Sequence, residues 1–328
     1  MKVIDVHTHM LNHAYLALLR KHGGGYRVKK VAGGQTGIVK DGAPFMTLMP
    51  GMFDYETRLR AMDAARVDLA IVTLTSPNVY WGSPSVSLKA AQLVNDDMAA
   101  QQKRYPDRIR FMCSLPWQHA KLAVTELKRA CDELGAVGVM VLANIDGASL
   151  TNKIFSSIWK EIDRRGLPVL VHPSAPPGTK HLDVMKYNLI ASTGFMFDTT
   201  LAVSRMIFDG FFDRYPKLKI IASHGGGTLP YIAGRLDICH ANMPACREKI
   251  SAKPSSYLKR IFYDSVVFQQ ESLELAIKVG GEDNVLYGSD YPHNIGDMKG
   301  CLARVDALPP AVCDAVRGGN AMRIFRFS

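Results

Sequence analysis

The segment Asp5-Val6-His7-Thr8-His9 sets two imidazoles two residues apart, directly after the apolar Val3-Ile4, near the start of a 328-residue chain. On a β-strand, residues i and i+2 project from one face. Histidines so placed supply a pair of nitrogen ligands to a divalent cation, and zinc favours such donors. Three later segments repeat the design of an apolar run that ends in a polar side chain. Residues 167–171 lead into His172-Pro173, residues 218–223 into His224-Gly225-Gly226-Gly227, and residues 284–289 into Asp290-Tyr291-Pro292. The proline after His172 stops that strand. Imidazole binds metals and also titrates near neutrality, so the chemistry on offer is metal-assisted and proton-transferring.

Side chains from four strand ends can meet only if the strands share a rim. Candidate strands fall at residues 3–6, 69–74, 109–114, 138–142, 168–171, 218–223, 261–265 and 284–288. Amphipathic stretches lie between them, among them 54–65, 87–104, 120–134, 152–165, 199–215 and 272–278, ending near breakers such as Gly135, Gly166 and Pro216. Alternating βα units force parallel strands, and eight of them close a barrel. The expected fold is therefore α/β, a (β/α)8 TIM barrel, in one domain over residues 1–328. Residues 11–52, rich in glycine and methionine, and residues 181–198 fall outside this rhythm. Each follows a strand bearing a candidate ligand, so lid insertions are expected after strands 1 and 5.

Composition agrees with that frame and excludes other classes. Hydrophobic residues make up 47% of the chain and charged residues 21%, which is ordinary for a packed core and unlike a disordered chain. No apolar run reaches the roughly 18 residues of a membrane span and no secretory h-region precedes the first strand, so a cytoplasmic protein is expected. The six cysteines include no C-x-x-C pair and read as reduced thiols. Net charge is +10, but the basic residues are dispersed, which points to a small anionic carboxylate substrate and away from nucleic acid.

The order H-x-H, His, His, Asp resembles the amidohydrolase superfamily. Val171-His172-Pro173, His224-Gly225-Gly226-Gly227 and Gly288-Ser289-Asp290-Tyr291-Pro292 are similar to the branch typified by 2-amino-3-carboxymuconate-6-semialdehyde decarboxylase, with gamma-resorcylate, 5-carboxyvanillate and 6-methylsalicylate decarboxylases as relatives. The likeness runs from Ile4 to Gly319-Asn320-Ala321. It implies a metal-dependent, non-oxidative decarboxylase of a small aromatic or muconate-type acid, working as a homodimer. It implies metal ligation by His7, His9, His172 and Asp290, and an acid/base role for His224. Either His224 or Asp290 protonates the carbon left behind. The H-x-H start, where the resorcylate and carboxyvanillate enzymes carry E-x-H, favours zinc, with manganese as the other possibility. A zinc-dependent hydrolase of an amide, lactone or carbon–carbon bond is the rival reading, because the same ligands activate water.

The resemblance also points to substrate contacts. Arg235 matches an arginine that reaches a substrate carboxylate, in some members from the neighbouring subunit; the competing reading is a helix-surface arginine. A second family arginine falls within residues 40–46, where this chain has Met46, preceded by Phe45. An apolar edge there disfavours a second carboxylate and favours a hydroxybenzoate or methylsalicylate over the muconate semialdehyde, unless these side chains are core filler. Phe197 and Asp198 are candidates for ring stacking and for binding a hydroxyl, with a helix N-cap as the alternative for Asp198. Asp264 is placed to orient a metal-binding imidazole. Gly225, Gly226 and Gly227 are read as close backbone packing. His13, His22, His119, His181, His240 and His293 show no partner pattern and are read as surface or packing residues.

Overall fold

Eight parallel strands, each hydrogen-bonded to its predecessor in the chain, form the central sheet of the computed structural model. They are β1 (Ile4–Met10), β2 (Leu69–Leu74), β3 (Ile109–Cys113), β4 (Gly138–Leu142), β5 (Pro168–His172), β6 (Lys219–Ala222), β7 (Phe262–Asp264) and β8 (Val285–Leu286). The structure describes residues 1–40, 43–176, 178–181, 183–184 and 186–327. All eight lie where the apolar runs predict them.

The sheet curls until its last strand meets its first. Val6 N–H donates to Tyr287 O at 3.0 Å, Asp290 N–H to His7 O at 2.8 Å and His9 N–H to Tyr291 O at 2.8 Å, and Thr8 bridges Tyr291 in parallel. Closure thus sets the H-x-H strand directly against the segment that carries Asp290. Helices cover the outside, among them Tyr55–Ala65, Pro84–Arg104, Ala120–Asp132, Ser156–Arg165, Leu229–Asn242 and Gln270–Gly280. Their ends follow local chemistry. Asp54 caps the first of these by accepting from Glu56 and Thr57 N–H, and Gly166 takes the left-handed conformation that ends Ser156–Arg165. The stretch expected as one helix over 199–215 begins earlier, at Phe195, and breaks at Gly210, whose φ of 65° no helix interior tolerates.

Strand residues sort alternately into two apolar clusters. Ala70, Val72, Val139, Val141, Val169 and Val171 pack outward against helix residues such as Met62, Leu127 and Trp159. Leu69, Ile71, Met140, Leu142, Leu170 and Ile221 pack inward on one another and on Ala321, Ile324 and Phe325 of the C-terminal helix. That burial on both faces is what continuous apolar runs in a parallel sheet provide for.

The described residues of 11–52 hold more regular structure than a glycine-rich insertion suggests. They form a helix, His13–His22, and a three-stranded antiparallel sheet of Tyr26–Lys30, Thr36–Lys40 and Ala43–Thr47. The alternation Tyr26-Arg27-Val28-Lys29 was the strand signal, with Gly33 and Gly34 supplying the positive φ of the turn. Asp41 and Gly42, within the segment matched to the second family arginine, lie outside the described residues.

Candidate active site

His7, His9, His172, His224 and Asp290 converge at the C-terminal end of the barrel, the end at which barrel enzymes carry their chemistry. His7 and His9 are fully buried, and His172, His224 and Asp290 expose at most 7% of their surface. His7 Nε2 lies 3.1 Å from His9 Nε2, and Asp290 Oδ1 is 3.4 Å from the first and 3.2 Å from the second. Candidate donor atoms of His7, His172, His224 and Asp290 all lie within 4.8 Å of one another.

The outer nitrogens show which atoms face inward. His7 Nδ1 donates to Asp264 Oδ2 at 2.6 Å, and His172 Nδ1 donates to the Pro173 carbonyl at 2.9 Å. His9 Nδ1 is 2.9 Å from Thr73 Oγ1. Carboxylate and carbonyl oxygens only accept, so the Nδ1 atoms of His7 and His172 hold the proton and their Nε2 lone pairs turn to the centre. His172 Nε2 and His224 Nδ1 are buried with no hydrogen-bond partner. Lone pairs facing each other and a carboxylate in a dry site repel unless a cation lies among them. The donor set therefore fits a divalent metal, with His7, His9 and His172 braced from behind as metal-binding histidines are.

The surrounding carboxylates favour positive charge at the centre, whether a metal ion or a second proton on His7. Burial pulls the His7 imidazole down, but the Asp264 and Asp290 carboxylates outweigh it and hold it at about 10. Burial dominates at His9, which falls to about 3, and at His172, which falls well below its ordinary value. Asp290 resists burial because His293, His224, His7 and His9 surround it, and it stays well below the carboxylate range.

Backbone conformation aims the last two groups. His224 has φ 55° and Asp290 φ 57°, a left-handed region that costs a non-glycine residue about 1–3 kcal/mol. Gly225, Gly226 and Gly227 are also left-handed. A Cβ on them would meet Val267 Cγ1 at 2.6 Å, Tyr263 Cδ1 at 2.7 Å and Met196 O at 2.4 Å, so the triple glycine is a packing requirement.

The other sequence candidates divide. Phe45 and Met46 border a cavity of about 1260 Å³ that opens above the histidines. Met46 also packs on the core beneath the small sheet, so wall and filler are both served by one side chain, while Met52 is core alone. Phe197, 56% exposed, is not on the cavity wall; Phe195 and Met196 stand there instead. Asp198 is also off the wall, its carboxylate taken up by Asn144 Nδ2 at 3.0 Å and Ser174 N–H at 2.8 Å, and burial lifts it to about 6. Arg235 is exposed on helix Leu229–Asn242, outside its own chain's cavity. All six cysteines are free thiols.

Three residues were missed. His293, read as a packing residue, lines the cavity: its ring lies 4.9 Å from that of His9 and Nε2 is 2.9 Å from Thr75 Oγ1. Its place three residues after Asp290 was the available signal. Asp5 accepts from Ser289 Oγ at 2.5 Å, strapping β1 to the turn that presents Asp290. Arg58 is fully buried, donates to Thr8 Oγ1 and His9 O, and lies over the Tyr291 ring at 4.9 Å from its centroid. A charged residue on the apolar face of helix Tyr55–Ala65 was its only trace.

A parallel eight-stranded barrel with a histidine and carboxylate centre at its C-terminal end defines a class of metal-dependent enzymes. The chain belongs to the amidohydrolase family, whose profile matches residues 4–327. It is 29% identical over 326 residues to a 2-amino-3-carboxymuconate-6-semialdehyde decarboxylase of Dictyostelium discoideum, covering 97% of this chain and 90% of that protein. It is 29% identical to a gamma-resorcylate decarboxylase of Rhizobium radiobacter, covering 83% and 86%. A crystal structure of 5-carboxyvanillate decarboxylase from Novosphingobium aromaticivorans, complexed with manganese and 4-hydroxy-3-methoxy-5-nitrobenzoic acid, superposes with a TM-score of 0.84 at 25% identity, covering 99% and 96%.

Proposed function

We propose that this protein is a metal-dependent, non-oxidative decarboxylase of an aromatic acid of the hydroxybenzoate or methylsalicylate kind. The carrying observation is that His7 Nε2, His9 Nε2 and Asp290 Oδ1 lie within 3.4 Å of one another, with His172 and His224 clustered on His7 and Asp290 and the Nδ1 atoms of His7, His9 and His172 anchored from behind. These four residues hold the cation, and three nitrogens with one oxygen favour zinc over the manganese of the carboxyvanillate enzyme. A bound divalent cation supplies Lewis-acid polarisation of a substrate oxygen, an electron sink during carbon–carbon cleavage.

The chain's own residues do the rest. A proton is delivered to the ring carbon that bears the carboxylate, the bond between them breaks, and carbon dioxide leaves while its bonding pair returns to the ring. His224 is placed to deliver that proton, with Nε2 3.7 Å from Asp290 Oδ2 and Nδ1 unpartnered. Val266, Val267 and Met196 line the same cavity. Phe45 and Met46 offer an apolar edge to the ring where a second carboxylate would need a cation.

A homodimer belongs to the same reading. Tyr231, Arg235 and Ile238 recur on one exposed stripe of helix Leu229–Asn242, with Tyr231 83% and Ile238 64% exposed. Arg235 lies outside its own chain's cavity, so a role in holding the substrate carboxylate would need a second copy on that stripe. Expression in the cytoplasm accords with reduced cysteines, and no helix among the described residues is long and apolar enough to cross a membrane. The test is carbon dioxide release from hydroxybenzoates and methylsalicylates, with metal content measured on the same sample. Turnover with about one zinc per chain is expected. Hydrolysis of esters or lactones without carbon dioxide release would replace the decarboxylase with a hydrolase.

A further inference from the structure

The cavity is too large for a bare hydroxybenzoate. Its volume of about 1260 Å³ exceeds the roughly 300–1,000 Å³ that buries a drug-sized ligand, and a benzoate is far smaller than that. Its histidines are not spread evenly. His172, His224, Asp290 and the Thr75–His293 pair gather at the floor. The rest of the lining joins neutral polar residues, among them Thr47, Ser76, Thr228, Ser272 and Asn294, to an apolar set that includes Phe45, Met46, Phe195, Met196 and Val267. The apolar surface continues to the rim, where Phe268 and Ile295 remain 52% and 55% exposed. Among the described lining residues there is no lysine or arginine, and the acids are Asp290 at the floor and Asp297.

Such a cavity selects by shape and charge. A ring seated on the floor with its carboxylate and hydroxyl among the histidines leaves the apolar wall unfilled. A second carboxylate directed up that wall would lose its hydration and meet no lysine or arginine among the described lining residues. An uncharged alkyl or aryl group would instead bury apolar surface on both partners.

We propose that the substrate is an ortho-hydroxylated aromatic monoacid whose ring carries an uncharged substituent larger than methyl, lying along the Phe45, Met46 and Met196 wall toward Phe268 and Ile295. The proposal rests on the decarboxylase reading and narrows its substrate class. The Thr75–His293 pair, whose His293 ring packs on His9, serves the ring hydroxyl.

The metal-loaded enzyme is assayed on salicylates bearing hydrogen, methyl, propyl, pentyl and phenyl groups, and on 4-hydroxyisophthalate. The value of kcat/KM is expected to rise with each buried methylene by up to about fourfold, the equivalent of ~0.8 kcal/mol. The isophthalate is expected to lag behind every alkylated member. Met196→Trp, which fills the wall, is expected to flatten the series, with an unchanged melting temperature showing that the fold is intact. A flat or falling series with salicylate itself turned over would overturn the proposal and leave the decarboxylase reading standing. If no member is turned over, the decarboxylase reading fails, and calorimetric affinities of the same acids decide the cavity. Affinity rising with substituent length supports it, and affinity indifferent to length overturns it.

Discussion

The two ends of the barrel obey different rules. In its lower half every strand alternates strictly: Leu69 and Ile71 point in while Ala70 and Val72 point out, and Val169, Leu170 and Val171 do the same. The upper half breaks that order. On β1, Ile4 and Val6 belong to the interior cluster, yet His7 and His9 also face inward while Met10 packs outward. Side chains two apart share a face, so a change of phase falls between Val6 and His7, and the pairing with β2 shifts register between Asp5 and Thr8. At β6 and after β8 the re-aiming is done by left-handed residues, His224 and Asp290. Only His172 and Asp264 reach the site in the phase their strands already had. The lower end spends its alternation on packing; the upper end interrupts it to bring five groups to one point, and braces the interruption with Asp5, Arg58 and Asp264.

That contrast can be broken at either end. Replacing His224 with Ala removes a proton donor and no proposed ligand, so kcat is expected to fall by about 10²- to 10⁴-fold. Metal content measured on the same variant should match the wild type, and its loss would make His224 a ligand. Leu170→Ala opens a cavity in the lower end, with an expected cost of about 2–5 kcal/mol in denaturant unfolding. Retained metal content in the surviving folded fraction would show that packing and site are separable. Asp264→Asn weakens the brace behind His7 and is expected to reduce metal affinity about 10- to 100-fold in a chelator competition, with stability little changed. The smallest effect is expected from Met46→Arg, which adds a cation to the wall. It should move the ratio of kcat/KM toward acids with a second carboxylate, and an unchanged ratio would mean that Met46 acts as core filler alone.

The architecture was legible because eight apolar runs of strand length, separated by amphipathic helices, have one economical closure. The candidate centre was legible for a related reason: a parallel barrel gathers its strand ends, so polar residues that terminate apolar runs must meet. Substrate contacts were less so. Phe197 and Asp198 sit beside residues that do line the cavity, one helical position deciding between Met196 on the wall and Phe197 in solvent. His293 carried no spacing that tied it to β1, because its neighbours His9 and Thr75 come from strands at the other end of the chain.

By itself the sequence determined the barrel, the rim at which polar strand ends gather, and that His7, His9, His172, His224 and Asp290 meet there. These follow from periodicity and from which residue ends each run, both local properties. Only the tertiary structure decided the change of phase on β1, the use of Asp5 and Arg58 as braces, the turning of Asp198 away from the cavity and the position of Arg235 outside it. Those depend on which lone pair, carboxylate or apolar surface a side chain meets across the closed sheet, and such encounters are set by packing between segments far apart in the chain.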